Sequence, residues 1–272
     1  KMRLKHGMII SSFAWLWASL IGGLVFMLAT NMPYIDAVFE SLSALTGTGI
    51  TMFENVELLP HSILFFRSFE QWIGGLGVVV MVIGVLTKPG SVSSKLYLSE
   101  ARDERIKPSI KTTLEKTLII YGIYTLGGII LYLLAGMPLF DSICSTLSIV
   151  STGGMSIKNA NMGYYHDDLI YFISIILMIL GATSFLVHYK VIKTRGKSLI
   201  EDLQFKIIIT VVAVVTVLLY FVSNIVPMDL LFTVVSAITT TGASVASPTA
   251  MGNWPSFVNI CLMCLMLTGG SN

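Results

Sequence analysis

YIDAVFESLSALTGTGIT, residues 34–51, lies between two apolar runs, each long enough to cross a bilayer. It carries acids at Asp36 and Glu40 and ends in a Thr/Gly cluster. Gly47 and Gly49 do not suit a helix interior. Ala37, Val38, Phe39, Leu42 and Leu45 do not suit a solvated loop. The stretch therefore reads as a short amphipathic helix that stops at a glycine-rich turn.

Two further copies decide what it is. LFDSICSTLSIVSTGGMS occupies residues 139–156 and PMDLLFTVVSAITTTGAS residues 227–244. The three align without gaps on Gly49, Gly154 and Gly242, here called position 0. At position −13 stand Asp36, Asp141 and Asp229, and at position −6 stand Ser43, Ser148 and Ser236. Hydroxyls recur at position −3 (Thr46, Ser151, Thr239) and at position +2 (Thr51, Ser156, Ser244). Columns in register across three segments mark an internal repeat.

The rest of the chain places the repeats in a membrane. It is 54% hydrophobic and 12% charged, about half the roughly 25% charge of soluble domains. This composition predicts an all-α integral membrane protein that crosses the bilayer several times. Spanning helices are expected at roughly 8–30, 60–86, 113–136, 168–189, 205–225 and 255–268. All of the 17 basic residues except Arg67 and Lys158 fall in 1–5, 87–116 and 190–206. Those segments are then cytoplasmic, and 31–59, 137–167 and 226–254 face the other side.

The expected organisation is three helix–re-entrant loop–helix units around a central pore. Unit 1 spans 1–86, with its short helix and filter at 36–51. A cytoplasmic linker follows at 87–112. Unit 2 spans 113–192, with its filter at 151–155. A second linker covers 193–203. Unit 3 spans 204–272, with its filter at 239–243.

The chemistry follows from the depth of the short segment. Asp36, Asp141 and Asp229 are read as helix N-caps. About ten helical residues cannot span a bilayer, so the segment must dip in and return. Non-helical backbone at that depth is stable only against protein or a water-filled cavity. Glycines let successive carbonyls face one way, and threonine hydroxyls add oxygens. Rings of such oxygens replace the hydration shell of a monovalent cation. The negative end of each short helix favours the same charge. The ion-binding residues expected are Thr46, Gly47, Thr48 and Gly49; Ser151, Thr152, Gly153 and Gly154; and Thr239, Thr240, Thr241 and Gly242.

Simple helix packing through small residues does not require three in-register copies. A phosphate-binding glycine loop would need a preceding strand and a lysine. Cys261 and Cys264 read as small residues of an apolar helix, and the four histidines as interfacial. No nucleophile–base or metal-ligand constellation is visible, so no enzymatic activity is expected.

The residues resemble the Trk/Ktr/HKT superfamily of potassium transporters, most closely its bacterial TrkH type. The resemblance rests on SALTGTGIT (43–51), RSFEQWIGGLGVVV (67–80), STLSIVSTGGMS (145–156), SAITTTGAS (236–244) and LTGGSN (267–272). It implies four such units around one pore that conducts K⁺, with Rb⁺ and Na⁺ also possible. K⁺ at the filter is then the only metal, and no bound cofactor is implied. It also implies a homodimer in the bacterial or archaeal inner (plasma) membrane, gated by a cytosolic nucleotide-binding ring of the TrkA type. Nucleic acid is not an expected partner. Gly269, Gly270 and Ser271 resemble the start of an intramembrane gating loop. A departure is the absent fourth unit, from which a fragment of a longer polypeptide is expected. A transporter split between two chains is the alternative.

Other charges are weighed on position. Arg67 and Glu70 read as a structural pair near the outer end of the second helix. Glu54, Glu57, Asp167 and Asp168 fit either an acidic vestibule or ordinary loop charge. The linker 87–112 fits either a regulatory docking surface or contact with anionic lipid. Channel-like conduction and Na⁺- or H⁺-coupled symport both fit the sequence. So do two rival functions: a secondary transporter of another solute, which predicts inverted repeats, and a membrane scaffold that transports nothing.

Overall fold

The repeats fold alike because each offers the same three signals in order: a long apolar run, a proline- or valine-led short helix, and a second apolar run. The computed structural model describes residues 4–86, 110–183, 187 and 202–269. Unit 1 comprises α1 (Leu4–Thr30), α2 (Tyr34–Leu45) and α3 (His61–Leu86). Unit 2 comprises α4 (Ile110–Leu134), α5 (Leu139–Val150) and α6 (Asp168–Ala182). Unit 3 comprises α7 (Leu203–Val222), α8 (Pro227–Ile238), the one-turn helix α9 (Pro248–Gly252) and α10 (Ser256–Gly269). Single 3₁₀ turns at Val56–Leu58 and Asn161–Tyr165 lie on the return path of units 1 and 2. The linker residues 87–109 and 193–201 lie outside the described residues.

The short helices α2, α5 and α8 are 12 residues each, about 18 Å long at 1.5 Å per residue. Their N-caps are Pro33, Pro138 and Val226, with no side-chain cap in any of them. Asp36, Asp141 and Asp229 are therefore not caps, as the sequence reading had them. Each helix starts two residues before its aspartate, because the fixed φ of proline at Pro33, Pro138 and Pro227 pre-sets the helical entry. The aspartates sit in the first turn instead, where a negative charge still complements the helix dipole. Side-chain caps are found elsewhere, with Asp167 accepting from Leu169 and Ile170 and Asp202 from Phe205.

The first helix of each unit carries a broad exposed apolar face. Phe13, Trp17, Ile21 and Leu28 of α1, Leu126, Ile130 and Leu134 of α4, and Val217, Leu218 and Phe221 of α7 are exposed. Continuous apolar faces of this extent are untenable in water and suit hydrocarbon. Among the described residues, Ser12–Thr30 and Phe205–Val222 pass a length-and-composition test for crossing a membrane.

The interior lies between the short helices and their neighbours. The largest cluster joins units 2 and 3 through Tyr132, Met178, Leu230, Phe232 and Val234. Phe26, Ala37 and Ile63 knit unit 1, and Val56, Leu64, Cys144 and Ile157 cross the seam from unit 1 to unit 2. The packing is staggered. α3 rests on α5, the short helix of the next unit, and α6 rests on α8.

A second glycine column makes the close packing possible. A Cβ at Gly74, Gly181 or Gly269 would strike the carbonyl of Leu45, Val150 or Ile238, respectively. Each of those carbonyls is the last of its short helix. The second helix of every unit thus touches the backbone where the short helix ends.

Candidate cation site

Three glycine turns follow the short helices, and their geometry is the same in each copy. The backbone N–H at position −1 donates to the carbonyl at position −6: Thr48 to Ser43 at 3.0 Å, Gly153 to Ser148 at 2.9 Å and Thr241 to Ser236 at 3.0 Å. The position −6 serine then reaches forward. Ser43 Oγ donates to the carbonyl of Ile50 at 2.6 Å, Ser148 Oγ to Met155 at 2.6 Å and Ser236 Oγ to Ala243 at 2.7 Å. The hydroxyl at position −3 donates back to the helix at 2.8 Å in all three copies, to Leu42, Leu147 and Val235. The serine column found in the sequence is thus the tie that holds each strand against its own helix.

Two of these ties differ in depth, which sets a testable contrast. Met155 is buried and Ile50 is exposed. Ser148→Ala strands a buried carbonyl and is expected to cost about 1–3 kcal/mol, against about 0.5–1.5 kcal/mol for Ser43→Ala. Thermal unfolding of the two variants in detergent reads the difference.

Backbone signs alternate along each strand. Position −3 is right-handed, with φ of −83°, −81° and −82° at Thr46, Ser151 and Thr239. Position −2 is left-handed, with φ of 69° at Gly47 and 53° at Thr152 and Thr240. Position 0 is left-handed again, at 77°, 72° and 76°. A β-branched threonine at positive φ is a true outlier, and two equivalent ones imply a conformation imposed by the surroundings. Alternation of this kind turns successive peptide planes so that carbonyls need not alternate sides, as they do in a β-strand.

The strands stand beside one another. A Cβ on Gly49 would lie 2.7 Å from the Gly153 carbonyl, and one on Gly154 would meet the Thr241 carbonyl. Position 0 of each unit therefore abuts position −1 of the next. A Cβ on Gly242 would find open space. The carbonyls of Gly47, Thr152 and Thr240 have no hydrogen-bond partner among the described residues.

Unit 1 supplies the brace between the first two strands. Arg67 Nε donates to Glu40 Oε1 at 2.7 Å, with side-chain exposures of 2% and 0%. Its remaining nitrogens reach the Ser156 carbonyl of unit 2 and the Thr51 hydroxyl of unit 1, both at 3.1 Å. Glu40 also accepts from Met52 N at 2.7 Å and from Thr51 Oγ1 at 3.0 Å. The partner of Arg67 is thus Glu40 and not Glu70, whose Oε1 instead accepts from Ser41 Oγ at 2.7 Å. One turn beyond Arg67, Gln71 Nε2 donates to the Gly153 carbonyl at 2.7 Å.

The outer loops interlock as well. Asn159 accepts from Val56 N through Oδ1, and its backbone N–H donates to Glu57 Oε1. Glu57, offered as a vestibule charge, is thereby tied into the seam. Asp141 Oδ2 accepts from the Tyr165 hydroxyl at 2.9 Å and lies 3.6 Å from Lys158 Nζ. Burial and the Asp141 charge push the Tyr165 phenol above its usual range.

Of the residues expected at a gate, Gly269 is the helical, buried end of α10, packed on Ile238, and not the first residue of a loop. Gly270 and Ser271 lie outside the described residues. Sequence reasoning gave no site role to Glu40, Gln71 or Asn161, whose amide donates to the Gly154 carbonyl. Glu40 and Arg67 are 27 residues apart, and no spacing rule pairs them.

The family model for the TrkH cation transport proteins matches residues 1–227. The chain belongs to this family. It is 42% identical over 270 residues, 99% of its length, to an uncharacterized cation transporter of Methanocaldococcus jannaschii. Over 99% of its length it is 31% identical to the Trk system potassium uptake protein TrkH of Salmonella typhimurium. The crystal structure of the potassium transporter TrkH from Vibrio parahaemolyticus superposes with a TM-score of 0.83 at 29% identity. That match covers 97% of this chain and 56% of the Vibrio one. The chain spans 56% and 59% of the two curated relatives. Membership of the TrkH family makes this a membrane protein, and the described residues form helices and turns with no strand among them.

Proposed function

We propose that the three strands are three sides of a K⁺-selective filter, and that the parent polypeptide carries out potassium uptake across the plasma membrane. The observation that supports this most is the repeated strand itself. Three copies lie side by side with the same alternating backbone and with position −2 carbonyls open to a ligand. Backbone oxygens in such numbers suit a monovalent cation that sheds its water on entry. The negative ends of α2, α5 and α8 meet the strands and add to the attraction.

On this reading Thr46–Gly49, Ser151–Gly154 and Thr239–Gly242 line the filter, and the three sequence units are its pore units. The fourth side lies beyond Gly242, where the arc of strands is open. Relatives bearing the name Trk system potassium uptake protein favour K⁺ as the ion. A homodimer, a TrkA-like nucleotide-binding ring and a glycine-rich gate that follows the helical Gly269 complete the proposal. The units run in one orientation, which disfavours the inverted-repeat rival.

The test is ⁸⁶Rb⁺ flux into proteoliposomes that carry the full parent polypeptide, with K⁺ and Na⁺ as competitors. Wild type is expected to prefer K⁺, and Gly49→Ser to lose that preference. Equal selectivity in both would overturn the filter assignment.

A further inference from the structure

The unit 2 strand differs from its neighbours in one respect that the repeat does not predict. Two successive carbonyls are held by side-chain amides. Gly153 O accepts from Gln71 Nε2 at 2.7 Å, and Gly154 O accepts from Asn161 Nδ2 at 3.1 Å. The equivalent carbonyls of Thr48, Gly49, Thr241 and Gly242 have no hydrogen-bond partner among the described residues.

Both donors are fixed in direction. Gln71 is 1% exposed, and its amide is turned with nitrogen toward a carbonyl, which can only accept. Its Oε1 has no hydrogen-bond partner among the described residues, so the amide spends its one bond on the Gly153 carbonyl. Asn161 stands at φ 52°, a conformation asparagine tolerates, and its Oδ1 accepts from Met162 N at 2.8 Å. That bond leaves Nδ2 as the only end that can face Gly154.

A carbonyl already bonded to a donor offers a cation one remaining lone pair and a weaker field. It is also held against rotation. In a filter, field strength and oxygen mobility decide between larger and smaller ions. We propose that Gln71 and Asn161 are positioning residues for selectivity: they hold the Gly153 and Gly154 oxygens back, so that unit 2 is the fixed, weak-field side of the pore. Free of them, the two oxygens would turn inward, raise the local field and admit Na⁺. This inference rests on the filter reading above.

The experiment measures ⁸⁶Rb⁺ and ²²Na⁺ flux by the full parent polypeptide in proteoliposomes, for wild type, Gln71→Met and Asn161→Gly. Methionine keeps the volume of Gln71 without its donor, and glycine keeps the positive φ at 161. Each variant is expected to lower the Rb⁺/Na⁺ flux ratio by roughly two- to tenfold, the worth of one hydrogen bond. A purely structural role would lower both fluxes together and leave the ratio unchanged, which would overturn the proposal. Should Gln71→Met fail to yield folded protein, Asn161→Gly, in an outer loop, decides alone. A wild type without Rb⁺ preference would refute the filter reading itself. A selective wild type with unchanged variants would refute only this inference.

Discussion

Arg67→Ala is expected to destabilise the protein by about 3–5 kcal/mol, the typical result of breaking a buried ion pair by removing one partner. Three features put it at the severe end. The guanidinium is 2% exposed and Glu40 is 0% exposed, so no water replaces the lost charge. Arg67 also satisfies the Ser156 carbonyl and the Thr51 hydroxyl, which lose their donor. Its guanidinium lies over Phe53, with Cζ 5.6 Å from the ring centre. Lysine should rescue little, because a single ammonium cannot reproduce a fork that reaches three acceptors in different directions. Glu40→Leu combined with Arg67→Met is expected to be less damaging than the sum of the single changes, since it leaves no lone charge. Thermal or denaturant unfolding in detergent, run as a double-mutant cycle, gives these numbers. Additive single effects would mean that the two side chains do not depend on each other.

The second large effect concerns one substitution at three equivalent glycines. Alanine at Gly49, Gly154 or Gly242 forces an L-residue to positive φ, at a cost of about 1–2 kcal/mol each. What differs is the space. At Gly154 the new Cβ collides with the Thr241 backbone, which cannot swing aside as a side chain can. Overpacking there adds about 1–3 kcal/mol. At Gly49 the Gly153 carbonyl stands 2.7 Å away, while at Gly242 nothing is near. The expected order of damage is Gly154→Ala, then Gly49→Ala, then Gly242→Ala. Melting temperatures of the three variants test it directly. Equal losses would mean that strain alone, and not contact between neighbouring strands, sets the cost.

These arguments use residues that were unequally legible in the sequence. The repeat could be read from one line because its Asp, Ser and Gly columns keep fixed spacing, and fixed spacing survives where identity does not. The role of the serines followed only from coordinates, since a hydroxyl seven residues from its acceptor obeys no local rule. The aspartates were misread as caps because proline performs the same task by fixing φ, which leaves no hydrogen bond to find. Gly74, Gly181 and Gly269 were not read as one packing column, because the spacing from the strand glycine differs between unit 1 and the other two units. Glu40, Gln71 and Asn161 occur once each, so no pattern could single them out. Repeated function is visible in sequence; the asymmetric supports that join the copies are not.

The staggered packing of α3 on α5 and of α6 on α8 has a consequence for how the chain is made. Each short helix is supported by a helix that the ribosome has already delivered. Two donors to backbone carbonyls follow the same direction: Arg67 serves the Ser156 carbonyl of the next unit, and the Gly163 N–H serves the Ser244 carbonyl of the one after, while Asn159 of unit 2 donates back to Glu57. A nascent unit thus meets a finished template on one side and exposes a fresh one on the other. Assembly can then proceed as polymerisation does, by addition at a growing end, with errors in the first unit inherited by those that follow and errors in the last confined to it.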